Sequence, residues 1–332
     1  MTRVLSGIQP TGDIHLGNYL GALRQWALDQ HEHDSFYCAV DLHAVTVQQD
    51  PQELRSKTVE TMATLVAVGL DPEVCTLFVQ SHVPYHTELS WLLECTVSFG
   101  ELRRMTQFKD KSTKQGDAGQ EHVSAGLFTY PALMAADILI YDADRVPVGD
   151  DQRQHLELTR DIAERFNSRY GETLVLPSAA IPKIAARVMD LQEPTNKMSK
   201  STDSAAGSVG IFEDTSSIAK KFKRAVTDSD NEVLFDFDSK PGVSNLLSIL
   251  GAATDRDPEI LANDYDQYGP LKTDAADAVI SVLEPVQQRR SELLSDPAEL
   301  DRIIARGAEK ASEVAAQTVQ RAKSAMGFLP LK

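Results

Sequence analysis

The first half of the chain alternates short apolar runs with longer amphipathic ones. Apolar runs of strand length predict buried strands at 4–5, 36–40 and 75–80. Apolar residues at helical spacing predict helices over 19–30, 51–68 and 88–99. Strands that alternate with helices in this way are typical of an α/β fold with a parallel sheet and right-handed crossovers. Ligands bind beyond the carboxyl ends of such strands, where Gln9, Asp41, His43 and Gln80 fall.

The pattern of apolar and polar residues changes after residue 100. A polar segment over 101–120 contains a stretch, 112–120, whose Gly, Ser and Thr content predicts a loop. An apolar run over 127–141, interrupted by Asp137, follows it. We then expect a charged helix over 154–170 and a last strand over 181–189. The remaining patterns predict helices over 218–226, 242–251, 258–265, 271–294 and 297–326, so the C-terminal third is expected to be a helical domain.

The loop over 7–18 is rich in Gly and Pro and lies between the first strand and the first helix. Such a loop suits nucleotide phosphate, since free N–H groups and the helix dipole point towards a ligand there. His15 and Asn18 are three residues apart and share a face in a first helical turn. Gly17 has no Cβ, so a flat ring can lie against its backbone. The alternative is an ordinary turn with His15 as a helix cap.

A second motif lies far along the chain, where Lys197-Met198-Ser199-Lys200-Ser201 sets two lysines three residues apart in a polar segment. By itself it is compatible with a solvated loop. Together with His15-Leu16-Gly17-Asn18 it forms the two-motif mark of class I aminoacyl-tRNA synthetases, a hypothesis that needs structural context.

Composition narrows the class of protein. The formal net charge is −16, which argues against nonspecific nucleic-acid binding but leaves room for local basic patches, such as the one at 220–224. Three widely spaced cysteines predict no structural metal site. Cys38 and Cys75 lie in apolar runs and are most simply core residues. Without a membrane-spanning run or a leader, we expect a cytoplasmic protein.

The chain resembles the bacterial tryptophanyl-tRNA synthetases over essentially its whole length. The resemblance rests on both motifs and on segments distributed along the sequence: 6–12, 21–25, 100–102, 105–109, 130–131, 134–139, 146–149 and 154–155. It implies a Rossmann-like catalytic domain over 1–195 with a dimerisation insertion around 101–170, the lysine-motif loop at 196–201, and a helical anticodon-binding domain over 202–295. The C-terminal helix, 296–332, is expected to pack back on the catalytic domain.

The resemblance also implies a reaction. Tryptophan and MgATP give tryptophanyl-adenylate and pyrophosphate, and the amino acid then passes to the terminal ribose of tRNA(Trp), in a homodimeric enzyme. His15, Asn18, Lys197, Lys200 and Lys111 are the residues implied to act on the phosphates. The implied ATP site comprises Gln9, Pro10, Thr11, Gly17, Asn18, Gly149, Asp150, Asp151, Val188, Lys197, Met198, Ser199, Lys200 and Ser201, with Lys109 and Lys111 as extra phosphate contacts. Mg²⁺ is expected to arrive with ATP, since it prefers phosphate oxygens and water.

Asp137 is the residue expected to select the amino acid. A carboxylate in an apolar run is costly unless paired, and the resemblance implies that it accepts the indole N–H, the ring's one donor. A capping or salt-bridged aspartate is the alternative. The implied tryptophan pocket comprises Asp137, Tyr130, Met134, Gln152, His43, Leu5 and Val148. Many relatives carry an aromatic residue at the position of Leu5, so a ring-stacking contact is expected to be lost here.

Three other functions are alternatives. Tyrosyl-tRNA synthetase shares the fold and both motifs, but the Gly7-Ile8-Gln9-Pro10 and 134–139 segments argue against it. A non-catalytic paralogue that binds tRNA or tryptophan is expected to have lost the phosphate-handling residues, which are present here. A small-molecule adenylate-forming ligase does not account for the helical C-terminal third.

Overall fold

A single parallel sheet forms the centre of the molecule. The computed structural model describes residues 2–106, 124–147, 152–180, 188–199 and 206–330. The strands of this part of the chain are β1 (Arg3–Ile8), β2 (Asp34–Ala39), β3 (Thr76–Val79), β4 (Arg145–Pro147) and β5 (Ser178–Ala180). Their order is β3-β2-β1-β4-β5 and every neighbouring pair is parallel. The predicted parallel α/β sheet is therefore confirmed, in the strand order of a doubly wound fold.

Helices surround the sheet and make up the C-terminal third. Those of the N-terminal half are α1 (Leu16–Asn18), α2 (Arg24–Asp29), α3 (Asp41–Ala44), α4 (Pro51–Ala67), α5 (Tyr85–Glu94), α6 (Phe99–Arg104), α7 (Ala125–Leu139) and α8 (Arg153–Tyr170). The C-terminal helices are α9 (Thr215–Lys223), α10 (Pro241–Thr254), α11 (Pro258–Leu261), α12 (Tyr268–Ser295) and α13 (Pro297–Met326). None of the helices in the described segments combines the length and hydrophobicity needed to cross a bilayer.

Side chains on the central strands alternate between two hydrophobic clusters. On β2, Tyr37 and Ala39 join the cluster that contains α4 and the C-terminal helices. Phe36 and Cys38 join the cluster formed with α5, α7 and α8. Because successive strand residues point to opposite faces, both faces of the sheet are buried, which explains the continuously apolar strands.

Local capping decides several helix ends that hydrophobic spacing misplaced. The helix predicted over 88–99 is two helices, α5 and α6, because Ser98 and Glu101 form a capping box that begins α6. Helix α9 begins at Thr215 rather than at 218, since the Asp214 carboxylate accepts the backbone N–H of Ser217. The first predicted helix, 19–30, instead begins at Leu16 and contains a π-helical stretch, Tyr19–Leu23.

The last predicted strand, 181–189, differs from the structure. Strand β5 lies earlier, at Ser178–Ala180, and pairs with β4. Residues 181–187 lie outside the described part of the chain. Met189 forms only an isolated antiparallel bridge with Lys197, because the chain turns back there instead of continuing along the sheet.

Helix α13 returns from the helical region to the sheet and crosses its edge strand, β3. At the crossing, a Cβ on Gly307 would lie only 1.6 Å from the carbonyl oxygen of Leu77. Further along, Ala311, Ala315 and Val319 of α13 are buried in the hydrophobic cluster of α5 and α7. Gly307 therefore permits a backbone approach that no other residue allows, and the helix covers the open edge of the sheet.

Replacing Gly307 by alanine is expected to destabilise the protein. The added methyl must push α13 away from β3, and overpacking of this kind costs about 1–3 kcal/mol in the free energy of unfolding. Urea denaturation followed by circular dichroism measures the change. Gly269→Ala is the matched control, since a Cβ there meets nothing within 4 Å and alanine favours helix α12. Equal stability of the two variants would contradict the close crossing.

Candidate functional site

The site lies where the strand order reverses, between β1 and β4. Crevices at the carboxyl ends of such strands are where open α/β sheets bind ligands. Strand β1 ends at Ile8, and the Gly- and Pro-rich loop leads from there into α1. The loop identified in the sequence therefore lies at this switch point.

His15 caps the first helix. Its Nδ1 accepts the backbone N–H of Asn18 at 3.3 Å, and the Asn18 side-chain oxygen accepts the backbone N–H of His15 at 3.3 Å. The imidazole lies so close to Gly17 that a Cβ there would be 3.0 Å from it. The capping alternative raised for His15 is thus what the structure displays. Contact of His15 with phosphate remains a prediction.

The segments on both sides of the lysine motif lie against this loop. The backbone N–H of Leu16 donates to the carbonyl of Val209 at 2.8 Å, and that of Ile211 donates to Ile14 at 3.1 Å. A Cβ on Gly17 would lie 3.6 Å from Cβ of Val188. Folding therefore brings the two sequence motifs together.

Three residues of the motif itself, Lys197, Met198 and Ser199, lie in the described part of the chain. Met198 is buried, and its backbone N–H donates to the carbonyl of Val188 at 3.1 Å. Lys197 is exposed. Several predicted ATP-site residues lie outside the described residues: Lys109, Lys111, Gly149, Asp150, Asp151, Lys200 and Ser201.

Three side chains of the C-terminal helices hold these segments in position. Asn245 on α10 accepts the backbone N–H of Met189 at 2.8 Å and donates to its carbonyl at 3.0 Å. Gln287 on α12 donates to the carbonyls of residues 211 and 213 at 2.8 and 3.0 Å. The Arg290 guanidinium lies 4.0 Å from the ring centre of Phe212. No pattern in the sequence indicated these long-range contacts.

A cavity of about 360 Å³ opens beside the loop. Its lining includes Gly7 and Gln9 of the loop together with Cys38, which the sequence indicated only as a core residue. Six of the residues predicted to bind tryptophan also line it: Leu5, His43, Tyr130, Met134, Asp137 and Gln152. Val148, the seventh, lies outside the described residues.

Asp137 on α7 is the charged centre of this cavity and is buried. Its Oδ1 lies 2.6 Å from Nε2 of Gln80 and 2.7 Å from Nδ1 of His86. Its Oδ2 lies 2.7 Å from Nε2 of His43. Asp137 therefore lines the cavity and is also paired with two histidines, as the salt-bridged alternative predicted.

Burial by itself raises the pKa of Asp137, but the imidazoles of His43 and His86 outweigh it and lower that pKa to about 2. The carboxylate is then ionised at neutral pH and can only accept hydrogen bonds. An ionised carboxylate offers about four acceptor positions, two on each oxygen. Gln80 and His86 use both positions on Oδ1, whereas His43 uses one on Oδ2. With respect to the residues that the structure describes, one acceptor position of Oδ2 remains.

Tyr130 lines the same cavity, next to His43 of this carboxylate network. Its hydroxyl is 2.9 Å from Nε2 of His155, and its ring packs edge-on to His43 with centres 6.3 Å apart. Burial raises the pKa of Tyr130 to about 12, so the phenol stays neutral. Its oxygen can accept a hydrogen bond from a cationic ligand group.

Sequence reasoning missed part of this network. Gln80 was noted at a strand end without a role, and neither His86 nor Tyr141 was singled out. The hydroxyl of Tyr141 lies 2.7 Å from Nε2 of His86. His86 follows a proline at the start of a helix, and Tyr141 ends an apolar run, so neither position stands out in the sequence.

The chain is similar to known proteins over nearly its full length. The sequence profile of the class I tRNA synthetases (W and Y) matches residues 1–284. The tryptophan–tRNA ligase of Leifsonia xyli subsp. xyli is 56% identical, with 98% of this chain and 97% of that protein aligned.

Solved structures agree with these matches. The crystal structure of tryptophanyl-tRNA synthetase from Mycoplasma pneumoniae is 37% identical, with a TM-score of 0.91 over 99% of this chain and 98% of that one. The enzyme from Campylobacter jejuni, complexed with ADP and tryptophan, is 34% identical, with a TM-score of 0.82 over 98% of this chain and 100% of that one.

A switch-point cavity, two motifs joined beside it and matches of this length lead to one conclusion. The chain belongs to the class I tRNA synthetases of the tryptophan and tyrosine family.

Proposed function

We propose that this protein is a tryptophan–tRNA ligase. The tryptophan carboxylate attacks the α-phosphorus of ATP, so that pyrophosphate leaves and tryptophanyl-adenylate forms. The terminal ribose hydroxyl of tRNA(Trp) then attacks the activated carbonyl, and AMP leaves. The observation that carries this proposal is the buried acceptor Asp137 inside a cavity that opens onto the His15 loop. Relatives named for tryptophan, at 50% identity or more, favour this function over the tyrosyl alternative.

The remaining acceptor position on Asp137 supports tryptophan as the substrate. The indole N–H is a donor with no acceptor beside it, and it fits an oxygen that can only accept. Apolar Leu5 and Met134 line the same cavity and offer surface to the ring. We propose that the indole N–H donates to Oδ2 of Asp137, next to His43. Tyr130 and Gln152 then take the substrate ammonium, and Val148 completes the pocket.

The proposed ATP site surrounds the junction of the two motifs. Adenine is proposed to lie near Gly17, Val188 and Met198, and the absence of a Cβ on Gly17 makes room for the His15 imidazole beside it. Phosphates meet the start of the helix at His15 and Asn18. The remaining ATP contacts are proposed for Gln9, Pro10, Thr11, Gly149, Asp150, Asp151, Lys197, Ser199, Lys200, Ser201 and, on the phosphates, Lys111. The lysines neutralise charge that builds up as pyrophosphate leaves.

Mg²⁺ is proposed to enter with ATP. Among the described residues, no group of three or more His, Cys, Asp or Glu side chains could hold a metal ion by itself. Mg²⁺ prefers phosphate oxygens and water to a cage made only of protein ligands, and it would offset phosphate charge there. We also propose that the helices over 202–295 read the anticodon and that charging takes place in the cytoplasm, where translation uses the product.

A homodimer is proposed from an exposed apolar patch on α5 and α6. Trp91 is 64% exposed and Phe99 is 68% exposed, and both helices pack against α7. The ring of Phe99 lies 4.9 Å from that of Phe128 on α7. Large exposed apolar surface marks protein–protein contact sites, and both rings precede the segment around 101–170 that is proposed to form the dimer contact.

Exchange of pyrophosphate into ATP tests the proposed reaction directly. We expect exchange with tryptophan, no comparable exchange with tyrosine, and loss of exchange when a chelator removes Mg²⁺, all without tRNA. Exchange with tyrosine alone would assign the chain to the sister enzyme. No exchange with either amino acid, from folded protein, would overturn the ligase function.

Asp137→Asn is expected to weaken tryptophan activation. The amide accepts less strongly and can turn its own N–H towards the ligand. Loss of a hydrogen bond to a charged acceptor lowers kcat/KM for tryptophan by about 10- to 100-fold. The KM for ATP stays unchanged in the same exchange assay. Asp142→Asn is the control, since Asp142 pairs at the surface with Arg321 and has a positive φ that asparagine tolerates. Equal kinetics in the two variants would remove Asp137 from its proposed role.

The dimer proposal is tested by charging the apolar patch. Trp91→Glu combined with Phe99→Glu is expected to give monomers in sedimentation velocity, because two desolvated carboxylates in the contact are costly. Ile260→Glu on α11 is the control, since this residue is 61% exposed but lies away from the patch. Dimers of the double variant, or monomers of the parent protein, would exclude this surface as the dimer contact.

A further inference from the structure

We infer that His86, oriented by Tyr141, is a positioning residue that fixes Asp137 as an acceptor and so sets the preference for amino acids whose ring carries an N–H. The inference rests on the proposed tryptophan site. It assigns a role to two buried side chains that the binding of the substrate itself does not use.

His86 connects Asp137 on α7 with Tyr141, which lies just after that helix. Its Nδ1 is 2.7 Å from Oδ1 of Asp137, and its Nε2 is 2.7 Å from the hydroxyl of Tyr141. It is only 1% exposed, although it borders the floor of the cavity. Both ring nitrogens are therefore engaged, and neither is left for a ligand.

The directions of these hydrogen bonds follow from the chemistry of the partners. An ionised Asp137 can only accept, so Nδ1 of His86 donates to it. Nε2, the other ring nitrogen, lies within hydrogen-bond distance of the hydroxyl of Tyr141. Burial raises the pKa of Tyr141 well above its ordinary value, so that hydroxyl keeps its proton. The Tyr141 hydroxyl thus holds the imidazole in the orientation in which Nδ1 donates to Asp137.

Stacked rings keep this chain of donors rigid. The imidazole of His86 stacks on Phe78 of β3, with ring centres 5.9 Å apart and planes 28° apart. The ring of Tyr141 stacks on Phe36 of β2, with centres 4.7 Å apart and planes 25° apart. Two strands of the sheet therefore hold the rings that orient the Asp137 carboxylate on α7, so the carboxylate does not depend on its own helix alone.

The two oxygens of Asp137 consequently have different tasks. Oδ1 receives His86 and also Gln80, whose own carbonyl accepts the backbone N–H of Leu42 at 3.1 Å. Among the described residues, Oδ2 accepts a hydrogen bond only from His43, a residue of the cavity wall. Occupying Oδ1 with two fixed donors turns the free acceptor position of Oδ2 towards the ligand. A ligand ring that cannot donate leaves this charged acceptor unsatisfied, which is costly in a buried site.

The test compares tryptophan with its benzothienyl analogue, in which sulfur replaces the indole N–H at nearly constant shape. We expect the parent protein to prefer tryptophan by about 10- to 100-fold in kcat/KM for pyrophosphate exchange, the value of one hydrogen bond to a charged group. His86→Leu should reduce this ratio by about tenfold, because no donor then holds Oδ1 from that side. His86→Asn should keep most of the preference, since its amide can still donate to Asp137.

Two further variants separate positioning from general damage. Tyr141→Phe keeps the ring but removes the hydroxyl that orients the His86 imidazole. It should lower the ratio, and it provides a test even if His86→Leu fails to fold. In an Asp137→Asn background, His86→Leu should not change the ratio further, because its effect passes through that carboxylate. His82→Asn, an exposed histidine of the preceding turn, is the matched control and should leave the ratio unchanged.

The outcomes distinguish this inference from the function on which it rests. If the parent protein activates tryptophan but Tyr141→Phe and the folded His86 variants slow both substrates equally, the positioning role is overturned and the ligase function stands. A further fall of the ratio in the Asp137→Asn background would also overturn it. If the parent protein activates neither substrate, both the function and the inference fall.

Discussion

A carboxylate can stay ionised in an apolar cavity only while donors surround it, and the centre of this molecule satisfies that condition for Asp137. Two imidazoles and one amide, drawn from three separate segments, converge on its two oxygens. Two of these donors are held in turn, Gln80 by a backbone N–H and His86 by a tyrosine hydroxyl. Removing any one leaves a buried charge short of a partner, so the sheet, α5 and α7 must pack as observed for the cavity to exist.

The second constraint is the joining of the two sequence motifs. The segment at 209–211 pairs with the start of the His15 helix, and Asn245 and Gln287 from the C-terminal helices hold its surroundings. Arg24, at the start of α2, also makes a bidentate ion pair with Asp255 at the end of α10. The helical third therefore helps to shape the part of the site where the two motifs meet.

Sequence patterns predicted an element correctly where apolar residues recur at regular spacing along it. Helix α13 was predicted at its observed bounds, Pro297–Met326, because Pro opens it and its apolar spacing is regular. Boundaries failed where one side chain overrides periodicity, as with the capping box of Ser98 and the carboxylate of Asp214. Most of the last predicted strand, 181–187, lies outside the described residues, and at Met189 the chain forms only an isolated bridge.

The sequence alone contains the alternation of strands and helices that gives a parallel sheet and the two motifs that mark the family. It also indicates Asp137 as the residue expected to select the amino acid. That aspartate stands out because a charge inside an apolar run demands an explanation. Which groups donate hydrogen bonds to this carboxylate becomes clear only from the folded chain. The donors Gln80, His86 and His43 lie 57, 51 and 94 residues from it along the chain. Periodicity encodes which side of an element is buried, whereas meetings between distant side chains depend on how the elements pack.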